Sequence, residues 1–340
     1  MAESYVIGVD FGSDSVRALI VNTETGENVG QGVACYPRWK AGLYQHPEYS
    51  IFRQHPLDYL ESLEKCITTA LAELTEEQKD HVIGIGVDTT GSTPVPVDKN
   101  GTPLALLDEF AENENAMFFL WKDHAAAAEA DEINKLFRNN SENDYTKYQG
   151  DYSAEWYWAK ILYAVRHDEA IRQAAYTWEE HCDWMTGILC GETRPEKIYH
   201  SACAAGHKAL WHSEWNGLPA ASVLEQLDPY LVQVRERYGN APQPSTVKVG
   251  TLCPEWAKKL GLKESTVISG SSFDAHAGAV GAGIQKKTFV CTMGTSCVDM
   301  FVEKPENLKG KDIQAYCGQA ENSILPGYVG VETGQAAFGD

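Results

Sequence analysis

Positive charge is the scarcest ingredient of this chain. Lys and Arg together number 28 against 48 Asp and Glu, which leaves a formal net charge of −20. Nothing in that balance neutralises a run of backbone phosphates, so a nucleic-acid partner is excluded and the acidity reads as solubility. No apolar run approaches the roughly 18 residues of a membrane span. No basic segment precedes the first apolar strand, so no signal peptide is expected. The nine cysteines are odd in number and scattered, with no C-x-x-C pair and no Cys/His cluster at ligand spacing. That pattern excludes a disulfide framework and a structural zinc, and it fits a reduced, cytoplasmic protein. Low-complexity tracts and long repeats are also missing.

What is present is an ordinary globular composition, 43% hydrophobic and 22% charged over 340 residues, with room for two domains. The most informative stretch lies near the N-terminus. An apolar strand, Tyr5 to Val9, leads through Asp10, Gly12, Ser13 and Asp14 into a second strand, Val16 to Val21. Two short strands joined by Gly and Ser predict a β-hairpin. Gly12 permits a tight turn, whose N–H groups and hydroxyls suit an anion. Asp10 at the strand end suits a cation beside it. A second strand, turn and strand spans Thr288 to Phe301 around Gly294, Thr295 and Ser296, so two hairpins are placed to clamp a phosphate chain. Between them, Asp274 stands ahead of a helix of small residues.

Apolar periodicity predicts a helix over 56–78. The run Val82 to Val87, ending in Asp88, predicts a strand buried on both faces, whose C-terminal edge is a ligand-binding position in open α/β sheets. A third strand is expected over Val29–Cys35 and a later one over Thr266–Gly270. Residues 104–240 read as a long insertion rich in Trp, Tyr and His.

The D-x-G-S-x-S-x-R hairpin at 10–17, the segment Phe273 to Gly283 and the Gly294-Thr295-Ser296 turn resemble the FGGY carbohydrate kinases. So do Asp88 to Pro94, Gly206 to His212 and Glu332 to Gln335, and within that family these residues are most similar to the bacterial L-ribulokinases. The resemblance implies a two-domain α/β protein of the ribonuclease-H-like fold, shared with actin, hexokinase and the heat-shock chaperone ATPases. Residues 1–284 are then the sugar-binding domain with the catalytic base, and 285–340 start a nucleotide-binding domain. Only about 55 residues follow that boundary, so the chain reads as a truncated form of a longer enzyme.

The same resemblance implies ATP-dependent phosphorylation of L-ribulose at its C5 hydroxyl, as in L-arabinose catabolism. Other pentulose or pentitol kinases, a non-catalytic nucleotide switch and a phosphatase-like hydrolase are the alternatives. ATP, Mg²⁺ and a small sugar are the expected ligands. No membrane partner is expected, and a homodimer is left open. Asp274 is the implied base, accepting the hydroxyl proton as the transition state forms; without the resemblance it reads as an N-cap. Asp10 is implied to orient Mg²⁺, or else to be a turn residue. Gly12, Ser13, Asp14 and Arg17, with Gly294, Thr295 and Ser296, are implied to meet the phosphates, Arg17 reading otherwise as an exposed strand residue. Lys208, Ser92, Thr93, Glu332 and Asp123 are implied to line the sugar pocket. Lys208 and Glu332 read otherwise as surface charges, and Asp123 as the cap of the helix that follows. Trp121-Lys122-Asp123-His124 departs from the family's W-x-D-x-R sugar-contact motif by lacking the Arg.

Overall fold

A computed structural model describes residues 3–293, 297–311, 313 and 317–335. Its main body is a seven-stranded mixed sheet. Strands β1 (Tyr5–Phe11), β2 (Ser15–Asn22) and β3 (Asn28–Cys35) form an antiparallel meander. Then β4 (Val82–Thr89) adds to the far side of β1 in parallel. Strands β5 (Lys248–Thr251), β6 (Val267–Ser269) and β7 (Ser272–Phe273) complete it, β6 and β7 both running parallel to β4.

The inward positions of β1 and β2 alternate as Tyr5, Ile7, Val9, Phe11 and Val16, Ala18, Ile20, all essentially buried, as a half-covered strand pair requires. Helix α1 (Pro56–Leu71) packs on that face through Leu63, Cys66, Ile67 and Ala70. Its approach to β3 is unusually close. A Cβ on Gly32 would lie 2.1 Å from the Cys66 carbonyl oxygen, so only a bare backbone fits there. The 56–78 helix expected from the sequence is interrupted. It ends at Leu71, and a separate turn over Glu76–Lys79 begins at Thr75, whose side chain and Gln78 form a capping box.

The 104–240 region supplies a second core rich in aromatics, built around helix α2 (Tyr157–His167). Helix α3 (His181–Cys190) packs instead into the first core through Trp184, Met185 and Leu189, whereas α4 (Ala202–His207) touches the second through Ala205. Helix α5 (Asp274–Gly281) follows β7 directly. It packs through Ala279 and Ala275 on a second, four-stranded antiparallel sheet. That sheet has the order β8 (Val290–Met293), β9 (Cys297–Glu303), β11 (Val329–Gln335), β10 (Gly318–Glu321). Hence α5 bridges the two sheets, and the side chains at its start face both. Among the described residues no helix is long and apolar enough to cross a membrane.

Candidate active site

Parallel strands end on the same side of a sheet, and here that edge gathers carboxylates. Asp10 on β1 stands opposite Asp88 on β4, and Asp88 stands opposite Ser272 on β7, two residues before Asp274. Burial pushes the Asp88 carboxyl up to about 8, helped by the negative charges of Asp10 and Asp274. Asp274 opens α5, its Oδ1 accepting the Ala275 N–H at 2.7 Å. The helix cap is Phe273, not Asp274. Although open to solvent in the cleft, the Asp274 carboxyl is ringed by protein, and that desolvation, with Asp10 nearby, raises it to about 6.

Beside this edge lies a cavity of about 480 Å³, whose lining includes Ser13, Trp121, Lys208, Asp274, His276 and Glu332. Thr90 and Gly91 line it too, from the turn after β4. A Cβ on Gly91 would lie 2.0 Å from the Phe273 ring, so the turn can lie against that ring only as glycine.

The far wall is a buried charge cluster. Lys208, just past α4, is 4% exposed, and Glu332 on β11 is 6% exposed. Their closest approach, Nζ to Oε1, is 3.7 Å, longer than a hydrogen bond. His276 Nε2 lies 3.1 Å from the other oxygen, Oε2. Burial opposes the charge on both members of each pair. Glu332 prevails over burial at Lys208, and Cys203 followed by Glu332 does so at His276, holding both above their ordinary values, while the two cations hold Glu332 well below the carboxylate range. His207 donates from Nδ1 to the Cys317 carbonyl at 2.6 Å, and burial with the neighbouring His276 drives it down to about 3.

The first hairpin forms the cavity's other rim. Ser13 Oγ accepts from Trp121 Nε1 at 2.9 Å. Asp14 accepts from Trp39 Nε1 at 2.6 Å, and Arg17 pairs with Asp10 at 2.9 Å. The N–H of Gly12 is not free for an anion, because it closes the turn onto the Ser15 carbonyl at 3.0 Å. The turn Gly294-Thr295-Ser296 lies outside the described residues.

Three expectations land elsewhere. Asp123 is fully buried and off the cavity. It takes an ion pair from Arg53 and accepts the N–H groups of Phe52 at 2.7 Å and Ala125 at 3.2 Å. It therefore braces the Phe52 strand and the loop at Ala125, and it does not cap the helix that follows, Ala127–Arg138, whose N-cap is Ala126. Ser92 and Thr93 are also fully buried, held by the Glu180 carboxylate through the Ser92 hydroxyl and the Thr93 N–H. They support the turn while Thr90 and Gly91 meet the cavity. Asp88 and His276, which the sequence reading left without a role, belong to the site. The signal for Asp88 was its place at the end of a parallel strand, which is buried on one face only, Ile83 being 51% exposed, and not on both as expected.

At the strand edge the paired Asp10 and Asp88 offer carboxylate oxygens, the kind of ligand Mg²⁺ takes. The Asp88 carboxyl, raised first by burial and then by its acidic neighbours, is one whose charged form a divalent ion would favour.

A family model described as the N-terminal domain of the FGGY family of carbohydrate kinases matches residues 5–281. The ribulokinase of Vibrio parahaemolyticus is 48% identical over 339 residues, 99% of this chain and 60% of that protein. The ribulokinase of Shouchella clausii is 35% identical over 99% of this chain and 59% of its own length. The chain thus spans about three fifths of the curated relatives it matches. Among solved structures, a Brucella ovis xylulose-type kinase superposes with a TM-score of 0.76 at 17% identity, covering 98% of this chain and 61% of that one. Plasmodium falciparum glycerol kinase with ADP gives 0.74 at 14%, with the same coverage. These likenesses extend the ribonuclease-H-like α/β fold to this chain, and the family match over most of its length settles its membership: the chain belongs to the FGGY family of carbohydrate kinases.

Proposed function

We propose that the protein carrying this chain is an ATP- and Mg²⁺-dependent pentulose kinase that phosphorylates L-ribulose at its C5 hydroxyl, in the use of L-arabinose. The observation that carries the reading is the meeting of Asp274, Lys208 and Glu332, from three separated parts of the chain, on one cavity. The ribulokinase names of its relatives support the choice of sugar. In this reading residues 1–284 hold the sugar and the base, and 285–340 belong to the nucleotide-binding domain.

Phosphoryl transfer asks the protein mainly for positioning and charge. Lys208 has a carboxylate only at 3.7 Å, so its ammonium is available to donate to a sugar oxygen, and Glu332 is available to accept from a hydroxyl. Asp274 takes the proton of the attacking hydroxyl, and a carboxyl held near 6 is ionised at neutral pH while remaining a stronger base than an ordinary aspartate. The first hairpin, through Ser13 and its neighbours, faces the phosphates. Mg²⁺, held by Asp10 with Asp88, would neutralise the phosphate oxygens.

The test is calorimetric titration with L-ribulose, D-ribulose, D-xylulose and ribitol, paired with sugar-dependent ADP release from Mg·ATP. L-Ribulose is expected to bind tightest. Asp274→Asn should leave that binding within a few fold while lowering turnover by about 10²- to 10⁴-fold, the contribution of a positioned base. Absence of binding by every pentulose, or near-normal turnover in Asp274→Asn, would overturn the reading.

A further inference from the structure

The Glu332 carboxylate is faced on each oxygen by a different cation of the opposite sheet's flank, Lys208 toward Oε1 and His276 toward Oε2. Lys208 lines the cavity and belongs to the proposed sugar contacts. His276 is 1% exposed, and neither of its ring nitrogens has a well-directed hydrogen bond. We infer that His276 is a positioning residue: from 3.1 Å on Oε2 it holds the Glu332 carboxylate in place, so that Oε1 is presented beside Lys208 to one hydroxyl of the sugar. This rests on the pentulose-kinase reading.

The physical case begins with Glu332. A carboxylate buried to this degree takes up a proton unless cations hold it charged. A protonated or rotated Glu332 would offer a donor where the sugar hydroxyl needs an acceptor. The two histidines nearby divide the work. His207 has its Nδ1 proton committed to the Cys317 carbonyl at 2.6 Å and stays neutral. Its ring centroid is 4.7 Å from that of His276, so His276 is left as the one that charges. The groups facing His276 are Glu332 from β11, His207 and Cys203 from α4, and Asp274 on its own helix. Asp274 and Glu332 both favour a charged ring, and the Cys203 side chain does too. His276 also stands two residues from the base on α5, so one short helix start fixes both the proton acceptor and the hydroxyl acceptor. The ligand atoms of His207, His276 and Glu332 lie within 4.8 Å of one another, close enough for a metal ion. The Lys208 ammonium on the same carboxylate disfavours a divalent ion there.

The experiment compares wild type, His276→Gln and Glu332→Gln in binding L-ribulose and its monodeoxy analogues, with Mg·ADP affinity as the control. In wild type, one deoxy position should carry a large penalty, because its loss leaves Glu332 unpaired. Both variants should bind L-ribulose about 10- to 100-fold more weakly, the scale expected when an orienting group is removed. Both should abolish the penalty at that same position, with Mg·ADP binding unchanged. An even loss across all analogues with the penalty retained would mean a packing role and defeat the inference, as would wild-type affinity in His276→Gln. His276→Asn is a second variant should the glutamine disturb folding. Independently of any sugar, nitrogen-15 NMR of labelled histidine in the wild-type protein should show one ring still doubly protonated at pH 8 and lost in either histidine variant. A neutral ring at that position, or a stoichiometric divalent metal in the purified protein that His276→Gln loses, would overturn the ion-pair account. Failure of wild type to bind any pentulose would sink the functional reading instead, while the NMR result would still judge the pairing.

Discussion

At one end of the cavity Lys208, His276 and Glu332 are each more than nine-tenths buried, and both cations lie within ion-pair range of Glu332. On the first hairpin Arg17 and Asp10 form an ion pair with side chains 56% and 39% exposed, and Met293, which lines the cavity from the tip of β8, is 67% exposed. The same kinds of charge therefore carry different weight. Buried charges are held by few, fixed partners in a medium that screens them poorly, so each partner is indispensable. Exposed charges are screened by water and salt, and they can exchange partners when a polyanion arrives. Under the proposed function, a pocket that must choose among sugars differing by one hydroxyl benefits from the first arrangement, and a rim that must accept and release a nucleotide benefits from the second.

The contrast is sharpest at Lys208. Lys208→Met should leave Glu332 without one of its cations, at a cost of about 2–5 kcal/mol in sugar binding, read as a loss of at least roughly 30-fold in L-ribulose affinity. Mg·ADP affinity should change little. An equal loss for both ligands would break the division between the two ends. The next effect is in pH. Asp274 is raised to about 6, so it is ionised above that value and protonated below it. Sugar-dependent turnover should therefore fall as pH drops below about 6, by about tenfold per unit, with L-ribulose binding much less affected. A rate that stays flat down to pH 5 would remove Asp274 as the base. The smallest effect belongs to the exposed rim. Arg17→Ala should alter unfolding free energy by no more than about 1 kcal/mol, as exposed ion pairs do, and the change should shrink further in high salt. A larger, salt-insensitive loss would show that the rim is built like the buried wall after all.

The sequence was a good guide where function follows from local order. The meander, the parallel strand ending in Asp88 and the small-residue helix after Asp274 are patterns of contiguous residues, and they stand where periodicity put them. Lys208 and Glu332 were found through motifs on either side of a long stretch of chain, and the structure brings them to 3.7 Å. The misplacements share one physical cause, a distant partner that a linear reading does not see. Asp123 is taken by Arg53, 70 residues earlier, and Ser92 by Glu180, 88 residues later. Strand β10 escaped notice because four residues, Gly318–Glu321, are too few to display alternation. The early end of α1 was written in the sequence as Thr75 and Gln78, a capping pair that the apolar periodicity masked.

The bond from Trp121 to Ser13 has an optical consequence. Of the nine tryptophans in the chain, Trp158, Trp178 and Trp184 are fully enclosed, whereas Trp121 borders the cavity and donates its indole N–H to the hairpin at 2.9 Å. Its emission is thus wired to both ends at once: a sugar alters the medium around the ring, and a phosphate that recruits Ser13 alters the partner of its N–H. Successive additions of pentulose and nucleotide should produce two separable fluorescence changes from one indole. Trp121→Phe should silence both, turning the pocket's own wall into a label-free gauge of the order in which its ligands arrive.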